Sequence, residues 1–253
     1  MENQGVRTDR LGMLLQQFDQ AREMAQVRLT GLTDEEYLWE PVDGCWSIRR
    51  RVEAVTARAY GPGEWVIDKG APEIPASEYA EVARQAAGGM SVAKIAEDWS
   101  VSVERVEEVL AHTGEPEPDV VPVTTIAWRL GHLHSGFAGQ WEWSFGERRQ
   151  EPRLMVDFTP SADRALERFW AAVDRWRESV GAVTEEQLDT VGFSQYPYGS
   201  DADDPFISVL FGANLELIHH MAEIAILRDL WRARFTPSSV EGSRRQGVSG
   251  ETR

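Results

Sequence analysis

At 253 residues, 42% hydrophobic and 27% charged, the chain can bury a sizeable core, reads as one globular domain or two at most, and is not a disordered protein. A formal net charge of −16 is repelled by phosphate, which argues against a nucleic-acid binder working through a basic face; the acidic excess is spread along the chain, as on a solvated enzyme surface. Cys45 is the single cysteine, so an internal disulfide or a cysteine-based metal cluster is excluded, and any metal must rest on the five histidines and their acidic neighbours.

No early stretch joins a basic flank to an apolar run and a cleavage site, and no apolar run reaches the roughly 18 residues of a membrane span. A cytoplasmic protein with no membrane partner is therefore expected. Residues 9–29 place Leu11, Leu14, Leu15, Phe18, Ala21, Met24, Ala25 and Val27 at near-helical spacing, ended by Gly31. Thr33 then reads as the N-cap of a short helix, with Glu36 at the capping-box position and Pro41 as its stop. Residues 42–70, rich in Gly, Trp and Arg, read as loop and extended structure.

Residues 77–113 read as an inserted helical module between Pro-bearing acidic linkers at 71–75 and 114–118. Within it, residues 91–110 are similar to a helix-turn-helix, with Ile95, Ala96, Val101, Val106 and Leu110 as its small core. Its second helix offers Glu104, Glu107 and Glu108 against a lone Arg105, the opposite of a groove reader, so packing, dimerisation or active-site cover is the expected role. Further helices are expected from Thr124-Thr125 to about Phe145, from Ser161 onward, and from Pro205 to about Phe235. The tail, 237–253, is expected to be disordered. The expected fold is all-α, a four-helix bundle over 1–236 interrupted by the module, and bundle interiors commonly house metal sites.

The last helix carries the chemistry. At about 100° per residue, Val209, Glu216, His220, Glu223 and Leu227 fall within about 40° of one line, and the flanking Val209 and Leu227 predict that the line is buried. Buried ionisable groups cost several kcal/mol unless paired, hydrogen-bonded or bound to metal. Glu216 and His220, four apart, project from one face and can share an ion. A third ligand would come from His132 or His134 on the preceding long helix; periodicity does not settle the choice and places His134 nearer the apolar face. His219 lies at the edge of the polar stripe and His112 in the module. Glu223 would orient a ligand or move a proton. Cys45, with no histidine near it in sequence and Trp46 beside it, reads as packing rather than as a nucleophile.

Two segments, PVTTIAWRLGHL at 122–133 and NLELIHHMAEIAILRDL at 214–230, resemble the second and fourth bundle helices of the DinB/YfiT-like proteins, and VDGCWSIR at 42–49 is similar to that family's loop after its first helix. The resemblance implies a divalent metal on His132, Glu216 and His220, with positions left open to water or substrate. It leaves His219 and Glu223 as candidates for catalytic support. Many members carry histidine where this chain has Glu216, and the glutamate version resembles the mycothiol-dependent maleylpyruvate isomerase branch, which binds zinc and works with a low-molecular-weight thiol.

The expected activity is thiol S-transfer or thiol-dependent isomerisation of a small electrophile, with zinc as the expected metal and nickel, manganese or iron as alternatives. A homodimer is compatible with this reading. The contrasting reading is a non-catalytic regulatory protein using the bundle and module for partner contacts. Trp128, Trp141 and Trp170 suggest a partly apolar pocket, although core packing predicts the same residues.

Overall fold

The structure is a computed structural model that describes residues 8–55, 59–68, 74, 76–99, 101–114, 123–152, 155–197 and 201–235. The linkers at 71–75 and 114–118 lie largely, and the tail at 237–253 wholly, outside the described residues.

Four long helices make the bundle. Asp9 caps α1 (Arg10–Leu29) by accepting from the Gly12 amide, Thr125 caps α6 (Ile126–Ser144) at the Trp128 amide, Ser161 caps α7 (Ala162–Gly181) at the Arg164 amide, and α8 (Phe206–Phe235) follows Pro205. Each start coincides with a small polar residue or proline that satisfies, or does not need, an orphan amide. Helix α1 runs parallel to α8, since Asn214 Nδ2 donates to Leu14 O at 2.9 Å near one end and Arg28 donates to Ala225 O at 2.7 Å near the other. It runs antiparallel to α7 through the pairs Arg177–Asp19 and Arg22–Asp174. Between the helices, Phe18, Phe137, Phe145, Trp176 and Phe206 pack edge to face.

The short helix α2 (Asp34–Leu38) begins where expected, with Thr33 Oγ1 accepting from the Glu36 amide. The Glu36 side chain does not complete a capping box. It is buried against Arg228 of α8, with Nε at 2.7 Å and Nη2 at 2.9 Å, and Arg228 also donates to the carbonyls of Arg28 and Thr30 at the end of α1. One guanidinium therefore ties three helices and satisfies carbonyls that α1 leaves open.

Within 42–70, strands β1 (Ser47–Arg50) and β2 (Trp65–Asp68) form an antiparallel hairpin. The Trp46 backbone stitches it to the start of α6, donating to Val123 O at 3.0 Å and accepting from the Thr125 amide at 2.8 Å. The segment 76–114 forms α3 (Tyr79–Ala87), α4 (Val92–Trp99) and α5 (Val103–Ala111). Its buried residues Val82, Ile95, Ala96, Trp99, Val106 and Val109, joined by Ile74 from the preceding linker, make a hydrophobic cluster separate from the bundle core. His112 packs its ring against Tyr79 there.

One expectation needs qualification. Among the described helices, α8 alone is long and apolar enough to cross a membrane by length and composition. Its buried side nevertheless forms part of the bundle core, with Leu210, Leu217 and Ile224 inside, and it carries Glu216, His219, His220 and Glu223 at mid-length.

Candidate metal centre

Helices α6 and α8 face one another so that Nε2 of His132 lies 3.2 Å, and Nε2 of His220 3.0 Å, from the same oxygen, Oε2 of Glu216. One donor atom from each residue falls within 4.8 Å of the other two. The choice that periodicity left open is settled by this geometry: His132 joins the pair on α8. His134 points to the other side of α6, among Tyr37, Phe158 and Arg168, and burial, with the Arg168 charge adding to it, pushes its imidazole down to about 4. The His132 ring is held by stacking on Trp128, with centroids 5.1 Å apart, and meets the His220 ring edge to face.

The stripe on α8 is not uniformly buried. His220 is 8% exposed and Glu216 53% exposed, because the carboxylate leans past the helix face to the mouth of a cleft. Hydrogen bonds from His132 and then His220 hold its carboxyl well below the usual carboxylate range, so it is an anion at neutral pH.

Behind His220 stands a charged pair. Glu223 Oε2 lies 2.6 Å from His220 Nδ1 and is held by Arg129 of α6, with Nε 2.9 Å from Oε2 and Nη2 3.0 Å from Oε1. A proton on Nδ1 shared with that carboxylate would leave Nε2 of His220 free to present its lone pair toward Glu216, the form that binds a metal. A cation between Nε2 and the Glu216 carboxylate, either a divalent metal or the proton of an imidazolium, satisfies both atoms at 3.0 Å. Two imidazole nitrogens and a carboxylate are also a known donor set for open catalytic zinc sites. The residues fit a divalent metal.

Glu223 thus holds His220 from behind and is not among the residues lining the cleft. His219, 62% exposed, stacks on the His220 ring and lies 3.6 Å from Glu223, also away from the cleft. Glu223→Gln, which keeps the shape but loses the charge, is expected to lower metal affinity about 10- to 100-fold, as measured by competition with a chromophoric chelator.

His132 and Glu216 of the triad open on a cavity of about 380 Å³ between α6 and α8, with His220 behind them. Leu133, Phe137, Val209, Ala213 and Leu215 make its apolar wall, and Gln140, Tyr196, Asp201, Asp204 and Ser208 its polar end. Gly136 and Gly212 help create the space: a Cβ on either would meet nothing within 4 Å. Glycine inside a helix costs about 0.5–1 kcal/mol relative to alanine, so each occupies its helix at a cost that the open cavity accounts for.

The tryptophans expected around a pocket do not line this one. Trp128 sits between Trp46 and His132, Trp141 donates to Ser179 Oγ, and Trp170 packs on Phe169. Cys45 is buried and its thiol is pushed up to about 11 by burial, with the Glu40 charge adding to it, in keeping with packing. Sequence reasoning missed Arg129, whose signal was a lone charge inside the apolar run from Ile126 to Phe137. It also missed the polar end of the cavity, which comes partly from an irregular segment with no periodicity to read.

The sequence profile of the DinB superfamily matches residues 17–121 and 115–224. No curated protein and no solved structure matches the chain. With the profile covering most of the sequence, including every residue of the candidate centre, the chain belongs to the DinB superfamily.

Proposed function

We propose that the protein is a divalent-metal-dependent enzyme that joins a small thiol to, or uses it to isomerise, a small electrophilic molecule, with zinc as the metal. The observation that carries the reading is the position of the His132–Glu216–His220 triad on the rim of a cavity large enough for a small molecule. A bound divalent ion would supply a positive charge that lowers the pKa of a thiol in its open position.

The chain's own residues would do the rest. Arg129 and Glu223 fix the His220 ring so that Nε2 faces Glu216, and Glu216 contributes a negative charge that suits a cation between the helices. Leu133, Phe137 and Val209 exclude water along the apolar wall, while Gln140, Tyr196 and Ser208 offer hydrogen bonds to a polar co-substrate. Sulfur would form a bond to the electrophilic carbon as the thiol proton passes to solvent, and the displaced electron pair would leave with a departing group or move along a double bond whose far end takes a proton from solvent. A cytoplasmic setting, where low-molecular-weight thiols stay reduced, suits this chemistry.

The second reading, a regulatory protein, rests on the separate core of α3–α5. The outward side of α5 exposes Glu104, Glu107 and Glu108, and Arg105 is already engaged by Glu108 and the Tyr79 hydroxyl. That surface favours a protein partner over nucleic acid.

The test incubates metal-loaded protein with a small thiol and a panel of electrophiles. Thiol consumption that a chelator abolishes and added metal restores is expected. Gly212→Leu, which fills the cavity, should retain metal while losing turnover. Metal retention with no turnover in either protein, together with binding of a protein partner that Glu104→Lys with Glu107→Lys weakens, would move the assignment to the regulatory reading.

A further inference from the structure

The side of α6 turned away from the metal centre carries a second opening. Along α6, His134, Ala138 and Trp141 share one face at i, i+4 and i+7; along α7, Arg168, Ala171, Ala172 and Arg175 share another at i, i+3, i+4 and i+7. The two helices run in the same direction here, since Trp141 Nε1 donates to Ser179 Oγ at 2.8 Å while His134 meets Arg168 toward their N-terminal ends. The three alanines carry too little side chain to close the space between the helices. With Met155 they leave a cleft of about 260 Å³ that has an arginine at each end, about 10 Å apart along α7.

The two arginines differ. Arg168 is engaged by Asp157, with Nη2 at 3.3 Å from Oδ2 and Nη1 donating to the backbone carbonyl. Arg175 has no carboxylate partner among the described residues, and the neighbouring Asp174 is taken by Arg22. Its guanidinium lies over the Trp141 ring, 3.1 Å from the centroid. Stacked flat on an indole, a guanidinium keeps its planar fork of N–H donors at the edge, where a carboxylate can accept two of them. In a chain with 42 acidic residues against 26 lysines and arginines, an arginine with no carboxylate of its own is a departure that a ligand would account for. At the other end, the His134 imidazole makes no hydrogen bond with a described residue.

We infer that the α6–α7 cleft binds a small organic anion, with its carboxylate on Arg175, its apolar body along the alanines and Met155, and a hydroxyl at His134. The spare guanidinium sets the sign of the ligand. The apolar floor between the two ends selects a hydrocarbon body over a bare inorganic ion. The net charge of −16 repels a polyanion such as nucleic acid, which leaves a small molecule. None of these residues lines the cavity beside the metal centre, so the inference stands apart from the thiol chemistry proposed above.

The test is calorimetric titration of the metal-loaded, full-length protein with 3-(4-hydroxyphenyl)propionate, 3-phenylpropionate, acetate and 3-phenylpropylamine. The first is expected to bind with a Kd of about 1 mM or tighter, and acetate and the amine at least about tenfold more weakly. Arg175→Gln, which removes the charge, and Ala171→Leu, which fills the cleft, should each weaken binding about tenfold or more. Both positions are exposed, so either variant serves if the other fails to fold. Gly212→Leu, which fills the cavity on the metal side, should leave the affinity unchanged. In the native protein the hydroxylated probe should bind more tightly than 3-phenylpropionate, and His134→Ala should erase that difference. A native protein that binds neither propionate would overturn the inference, as would binding that survives both Arg175→Gln and Ala171→Leu. Equal affinity for acetate or for the amine would do the same, and loss of binding in Gly212→Leu would move the ligand to the metal side. A hydroxyl that adds nothing to affinity would overturn the part assigned to His134.

Discussion

Alanine at His220 is expected to lower metal affinity by more than about a hundredfold, beyond the range of losing a supporting group, because it removes both a ligand and the anchor that Glu223 and Arg129 hold. Glu216→Ala should act alike, since Oε2 of Glu216 is the atom on which both imidazoles converge. His134→Ala should leave metal content unchanged, its ring lying on the opposite side of α6. The measurement is metal per chain after purification without chelators, followed by competition titration. Full occupancy in both Glu216→Ala and His220→Ala would remove the site from this position.

The largest expected loss of stability lies far from the cavity. Arg228 and Glu36, 2% and 4% exposed, form a bidentate pair, and Arg228 spends its remaining donors on the carbonyls of Arg28 and Thr30. Desolvating two charges is costly, so the pair adds little over an apolar substitute, yet removing one partner strands the other in the core. Arg228→Ala should therefore cost about 3–5 kcal/mol in denaturant unfolding, whereas Glu36→Leu with Arg228→Met should recover most of the loss. A single substitution as mild as a surface change, within about 0.5 kcal/mol, would contradict the buried-pair account.

Much of this architecture is legible along the chain because it is local. Thr33, Thr125, Ser161 and Pro205 mark helix starts by satisfying or sparing amides within their own first turn, and the i,i+4 spacing of Glu216 and His220 places two donors on one face whatever surrounds them. The departures all involve partners distant in sequence. Glu36 has the spacing of a capping box but finds Arg228, 192 residues away, and a buried charge pair outcompetes a local bond to one amide. The hairpin at 47–68 is hidden in a Gly-, Trp- and Arg-rich stretch because its order comes from pairing with α6 as much as from its own residues.

The candidate centre divides in the same way. The sequence by itself determines the half-site on α8 and, through resemblance to a family, nominates His132. Only the tertiary structure brings His132 rather than His134 to Glu216, since that depends on how α6 is rotated against its neighbours, and helical periodicity cannot report a rotation set by packing. The same rotation brings Arg129 to Glu223 and opens the cavity between Gly136 and Gly212. A spacing of four residues says that two ligands can share an ion; the fold decides which third residue meets them.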